Sequence, residues 1–395
     1  MVNAVYDHIF AIIIVGIIFV SAVVALPAMS LINIRAVDQQ QLRNIALNVF
    51  NAILLDTGEP VNWGSVDPNW SPEIVKRFGL ASASASTFYV LDPDKVQRLV
   101  EGNPLGGINY TMVKELLGLE GYEFSFRIIP PFNVTNVDGT KIDDNHSPIN
   151  ETLLEEKILQ YAVKVCYHNG EPIPNAVIEA VVVYTDKSNF AIESPKFTTT
   201  DSMGIGRDTI NLDFKPSHVT VILRVSVADV ATLVVTFGKN PLRFVDINAV
   251  GDSIVLTRPK NKTNAEVKLH KIYFFSADGT LVPLYISPYN GEGRDHFHTG
   301  WGSPFRLWNK TFPGLKSRNP VVFVINIETV PPKGSDEHGN QEMVIAGPYQ
   351  NLLGYTVFQY GSSSPPEKGA VSLRRSVIIS GMTYIAELTL WKESP

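Results

Sequence analysis

The chain has 395 residues, of which 45% are hydrophobic and 18% charged, and its formal net charge is −6. That length is enough for about two or three globular domains, and the negative balance gives no reason to expect a nucleic-acid partner. The one cysteine, Cys166, excludes an intramolecular disulfide and a cysteine-based metal knuckle.

In chain order, the first feature is the stretch Ile9 to Ile32, which lies between Asp7 and Arg35 without a charged side chain. A run of that length exceeds the roughly 20 residues a helix needs to cross a bilayer. Met1 to His8 holds no Lys or Arg, so a retained anchor is favoured over a cleaved signal. Ile13 and Ile17 lie inside the run, and Pro27 is expected to bend it without ending it. From Val37 to Leu55 the apolar positions Leu42, Ile45, Ala46, Val49 and Ile53 recur at spacings of three and four, opposite Gln39, Gln41, Arg43, Asn44 and Asn48. The pattern predicts one long N-terminal helix, apolar then amphipathic, stopped near Gly58. Its second half must bury its stripe against either its own head or a neighbour's helix.

N-glycosylation acceptor patterns occur at Asn69, Asn109, Asn133, Asn145, Asn150, Asn261 and Asn309. Long domains translocate largely regardless of flanking charge, so the body is expected to be extracellular. Residues 58–155 read as a small α+β head. Ser71-Pro72-Glu73 and Asp92-Pro93-Asp94 each start a short helix, Thr111 to Leu117 is a third, and Tyr122 to Ile128 alternates as a half-buried strand. Pro130 to Pro148, rich in Pro, Asn, Asp and Gly, reads as a linker or exposed loop.

Beyond it the character turns to β. Leu159–Tyr167, Ala176–Thr185, Val219–Val227 and Ala231–Phe237 are β-branched runs separated by turn signals. Cys166, on the first of them, reads as a small buried hydrophobe. The order Asn169-Gly170-Glu171-Pro172-Ile173-Pro174-Asn175-Ala176-Val177, then Thr199-Thr200-Asp201-Ser202-Met203-Gly204, resembles the prealbumin-like sandwich of carboxypeptidase regulatory-like domains. The resemblance covers 158–238 and implies a spacer without catalytic residues. Residues 240–395 form a further β-rich domain, closed by the hairpin Val371–Ile379 and Met382–Trp391. The last strand has apolar groups on both faces, which predicts cover on two sides or contact with a neighbouring subunit.

Chemistry is sparse. Asp295-His296-Phe297-His298 is the only metal-like cluster: the H-x-H spacing puts His296 and His298 on one strand face, with His270, Asp295 or His338 as a third ligand. Trp301, Phe305, Trp308 and Phe312 share the expected loop Ser287–Ser317 with these histidines, either as a sugar platform or as local core. No zincin, nucleophile-elbow or phosphate-loop signature occurs, so no enzyme activity and no cofactor are expected.

The helix with its proline bend and amphipathic second half, followed by Leu54-Leu55-Asp56-Thr57-Gly58-Glu59-Pro60-Val61-Asn62-Trp63-Gly64, resembles archaeal type IV pilin-like surface proteins. No basic, Gly-ending cleavage site precedes the run. The resemblance implies an assembly helix marked by Asp7, Ile13, Ile17, Pro27, Leu42, Ile45, Val49 and Ile53, with lipid or other copies of the chain as partners. The expected fold is mainly β with a long N-terminal α-helix (1–57), a small α+β head (58–155) and two β-sandwich-like domains (156–239 and 240–395). The expected function is a membrane-anchored or filament-forming structural protein of the cell surface. A surface adhesin that captures glycan or metal through the 287–317 loop is the alternative.

Overall fold

The structure is a computed structural model that describes residues 14–15, 17, 19–21, 39–65, 70–100, 103, 105–142, 146–186, 188–238, 246–257, 266–284, 295–298, 306–330, 340–346, 358–366 and 369–393. The chain is mostly β, with 47% strand and 17% helix. This corrects the expected long N-terminal helix. What is described of that stretch is helix at 14–15, 17 and 19–21 and, continuously, α1 at residues 39–55. Among the described residues no helix is long and apolar enough to cross a membrane. Asp7, Ile13 and Pro27 lie outside the described residues, and Ile17 is 60% exposed.

The stripe on α1 packs on the protein's own head. Leu42, Ala46, Val49, Phe50, Ile53 and Leu54 are buried in one cluster with Trp63, Phe78, Phe124, Phe126 and Leu388, and Ile45 packs against it. The last carbonyls of α1 find partners in the returning chain, since Leu80 N–H donates to Ile53 O at 2.8 Å and Ala81 N–H to Asp56 O at 3.0 Å. Gly79 makes that approach possible, because a Cβ there would lie 2.2 Å from Asp56 O. Two short helices follow, α2 (Pro93–Gln97) and α3 (Tyr110–Leu116), capped by Asp92 and Asn109.

Strands are numbered in chain order. The head sheet runs β1 (Val90–Leu91), β20 (Ala370–Ile379), β21 (Met382–Lys392), β2 (Tyr122–Ile129) and β19 (Phe358–Gly361), antiparallel except for β1 on β20. The C-terminal hairpin is thus the middle of the head's own sheet. In β21, Ala386, Leu388 and Leu390 point into the α1 core, while Glu387, Thr389 and Trp391 on the other face are also buried.

The remaining strands form a four-layer stack. The outer sheet β3 (Asn133–Asn136), β4 (Ile158–Cys166) and β8 (Ile205–Asn211) faces the sheet of β10 (Val230–Phe237), β9 (His218–Val227), β5 (Val177–Thr185), β6 (Phe190–Ile192) and β7 (Lys196–Thr199), with a sandwich core between them. β3 corrects the expected linker: Phe132, Val134 and Ile142 are buried in this core, so the Pro- and Asp-rich composition describes its turns and not its packing. The motif Asn169 to Gly204 closes on itself, with Ala176 N–H donating to Thr200 Oγ1 at 2.8 Å and Thr200 Oγ1 donating to Ile173 O at 2.7 Å. Asp201 Oδ1 accepts from Met203 N–H and Ile205 N–H. Gly204, at φ +73°, leaves no room for a Cβ, which would meet Val165 O at 2.4 Å.

A second sandwich pairs β11 (Asp246–Val250), β12 (Ser253–Thr257) and β16 (Arg306–Thr311) with β14 (Leu281–Leu284), β13 (Glu266–Ser276), β15 (Asp295–His298), β17 (Pro320–Val330) and β18 (Asn340–Ala346). The β5 and β13 sheets meet back to back. Phe190 stacks on Tyr273 with centroids 6.0 Å apart, Arg224 Nε donates to Ala277 O at 3.0 Å, and Val181, Val183 and Ile222 share the α1 core with Phe275, Val322 and Val324. Burial on both faces explains why β5 reads as a continuous apolar run.

Candidate functional site

The residues singled out from sequence are dispersed. β15 pairs with β13, opposing His296 to Lys268 and His298 to Glu266. Of the third-ligand candidates, His270 Nε2 bonds Glu328 Oε2 at 2.9 Å, and His338 lies outside the described residues. Among the described residues no group of three metal-ligating side chains forms. The expected 287–317 loop contains strands β15 and β16, and Trp308 and Phe312 pack against the second sandwich core. Of the acceptor asparagines, Asn109, Asn150 and Asn309 are exposed and Asn133 is half-buried in β3, while Asn69, Asn145 and Asn261 lie outside the described residues. Asn109 Oδ1 caps α3 by accepting Met112 N–H at 2.8 Å, and Asn150 Oδ1 accepts Thr152 N–H at 3.3 Å. Both leave Nδ2, the atom a glycan modifies, outside the cap. Cys166 is buried and free.

Two polar constellations carry more. The first is α2, whose segment Asp92 to Arg98 has five polar side chains buried: Asp92, Asp94, Lys95, Gln97 and Arg98. Lys316 Nζ, from the turn after β16, reaches Asp92 Oδ1 at 2.8 Å and Asp94 Oδ2 at 2.6 Å. Gly251 N–H, between β11 and β12, donates to both Asp94 oxygens at 3.1 and 3.0 Å, and Ser65 Oγ donates to Asp94 Oδ2. Gln97 Nε2 donates to Ala249 O at 2.8 Å. Lys95 Nζ turns inward to Thr57 O at 2.7 Å and Ala81 O at 2.8 Å. Arg98 Nε donates to Gly64 O at 3.0 Å, with its guanidinium over the Trp70 ring at 4.4 Å. Gly64 has to be glycine, since a Cβ there would lie 2.4 Å from Lys95 N.

This seam welds the head to the second sandwich. Its electrostatics also define what it cannot do. Burial works to lower the Lys316 pKa, but Asp94 and Asp92 outweigh it and hold the ammonium above the ordinary lysine value. A cation so held is no base for Ser65, 3.4 Å away, so the Ser65, Lys316 and Asp94 arrangement is an ionic lock and not a nucleophile with its base. Lys95 goes the other way: burial pushes it down to about 8 against the pull of Asp92.

The second constellation lies on the open face of the head sheet. Register sets Gln359, Arg127, Glu387 and Arg374 side by side across β19, β2, β21 and β20, with Ser125, Thr389 and Ser372 in the neighbouring row. Glu387, its side chain 6% exposed, takes Arg127 Nη1 at 2.9 Å and Arg374 Nε on its other oxygen. Ser372 Oγ and Thr389 Oγ1 are 2.8 Å apart. Period-two alternation marks these as outward positions in the sequence. Their assembly depends on pairing Arg127 with Glu387 across 260 positions, which no local pattern signals.

No protein-family model matches the chain, and no characterised protein matches it in sequence. Among solved structures, trypsin-activated α2-macroglobulin from Escherichia coli aligns over 63% of this chain and 18% of its own, at 8% identity and a TM-score of 0.22. A Salmonella α2-macroglobulin aligns over 62% and 17%, at 9% identity and a TM-score of 0.22. A tetra-tandem repeat from the extending region of a large adhesion protein aligns over 59% and 69%, at 10% identity and a TM-score of 0.17. The chain spans less than a fifth of the macroglobulins it matches, and scores of this size carry no argument about fold or function.

Proposed function

We propose that the protein is a structural component of the cell surface, a rigid multi-sandwich body tethered through its uncharged stretch Ile9 to Ile32. The observation that carries this reading is the four-layer β stack joined to the head by one continuous core and by the seam in which half-buried Lys316 meets the buried Asp92 and Asp94. Face-to-face burial of this kind removes the hinge that separate β modules would otherwise have. A body that holds a fixed shape suits a load-bearing or spacing role. The exposed acceptor asparagines Asn109, Asn150 and Asn309 suit an extracellular setting.

The test is accessibility on intact cells. A membrane-impermeant amine reagent is expected to label the protein at a level comparable to known surface proteins, and external protease is expected to release its head. Labelling only after lysis would overturn the reading. Electron microscopy of purified surface material separates filament or lattice from single tethered copies.

A further inference from the structure

The open face of the head sheet has a composition that a merely solvated face does not need. It forms a cleft of about 710 Å³ whose floor is the two cross-strand rows and whose wall includes Pro365 and Pro366. At its centre one buried carboxylate, Glu387, aligns two guanidiniums, so the cleft keeps an excess positive charge in a chain of net charge −6. Arg127 Nε is shielded from water and has no hydrogen-bond partner among the described residues. Arg374 is 69% exposed and presents the rest of its fork outward. A guanidinium pair fixed by a shared carboxylate is preorganised for a further planar anion, because the fork geometry matches carboxylate oxygens.

Around that anion position the partners are hydroxyls and an amide: Ser372, Thr389, Ser125 and Gln359. Same-face residues along a strand repeat at about 6.6–6.8 Å, so the two rows offer donors and acceptors on the scale of one sugar ring. A ring with many hydroxyls and a carboxylate uses both rows, whereas an inorganic anion uses only the arginines.

We propose that this cleft binds an acidic saccharide, with a uronic-acid carboxylate against Arg374 and Arg127 and ring hydroxyls on Ser372, Thr389 and Gln359. The site goes beyond the structural role and stands or falls separately from it. Calorimetric titration of the purified full chain with tetramers of galacturonic and of glucuronic acid at low salt is the test, with a neutral tetramer of equal length and inorganic sulfate as comparisons. Saturable binding of at least one acidic tetramer is expected, at least tenfold tighter than the neutral tetramer or sulfate. Arg374→Gln leaves Glu387 paired with Arg127 and is expected to unfold at the wild-type temperature while losing at least tenfold in affinity. Gln359→Ala is expected to lose severalfold. Binding of neither acidic tetramer, equal binding by wild type and Arg374→Gln, or sulfate binding as tightly as the tetramers would each overturn the proposal.

Discussion

Lys316 and Lys95 both meet one short helix and shift in opposite directions although burial works to lower each, because Asp92 and Asp94 face one ammonium directly while carbonyls face the other. Lys316→Ala would leave two carboxylates buried without their cation, and breaking a buried pair on one side costs about 3–5 kcal/mol. Urea unfolding at neutral pH is expected to show a loss of that size. A loss under about 1 kcal/mol would mean that water replaces the lysine in the seam. Lys95 supplies a pH signature. Burial pushes it down to about 8, below the ordinary lysine value of 10.5. Between those values the unfolded chain binds more protons than the folded one, so this group makes stability rise with pH across that window. Lys95→Met is expected to remove that rise, read from urea midpoints at about pH 7.5, 8.5 and 9.5. An unchanged slope would show that the amine stays charged in the fold.

At the scale of elements, the C-terminal hairpin is the decisive piece. β21 lies between β20 and β2, and its Leu388 and Leu390 complete the core that covers α1. A fragment of residues 39–129 alone has only β1 and β2, which do not pair with each other, and an uncovered helix. Residues 39–129 joined by a short linker to 358–393 should fold, with dispersed amide resonances and protected β21 amides, whereas 39–129 alone should not. Cooperative folding of 39–129 by itself would contradict this account. The same reasoning settles the amphipathic stripe. Leu42, Val49 and Ile53 are no more than 6% exposed, so the second half of the expected assembly helix is already covered by its own head.

Across the whole molecule, the local vocabulary was legible and its grammar was not. Amphipathic spacing located the helix at 39–55, a proline-led cap located α2, the stretch Thr111 to Leu117 located α3, and β-branched and alternating runs located β4, β5, β9, β10, β20 and β21 within one or two residues. The turn from Asn169 to Gly204 was legible because positive φ and Asx bonding demand specific residues. Three things were not. Asp92, Asp94, Lys95, Gln97 and Arg98 look like a solvated helix, since burial of a charge is decided by the partner that meets it, and Lys316 is more than 200 positions away. The cleft at Arg127, Glu387 and Arg374 exists only once strands from the two ends of the chain pair. An uncharged stretch at the start suggested a long continuous helix, while the described fold is organised by sheets. Short-range sterics and periodicity are properties of the sequence itself, so they determined the elements. Which strands become neighbours and which charges lose their water are long-range choices made by a shared core, and only the tertiary structure decided them.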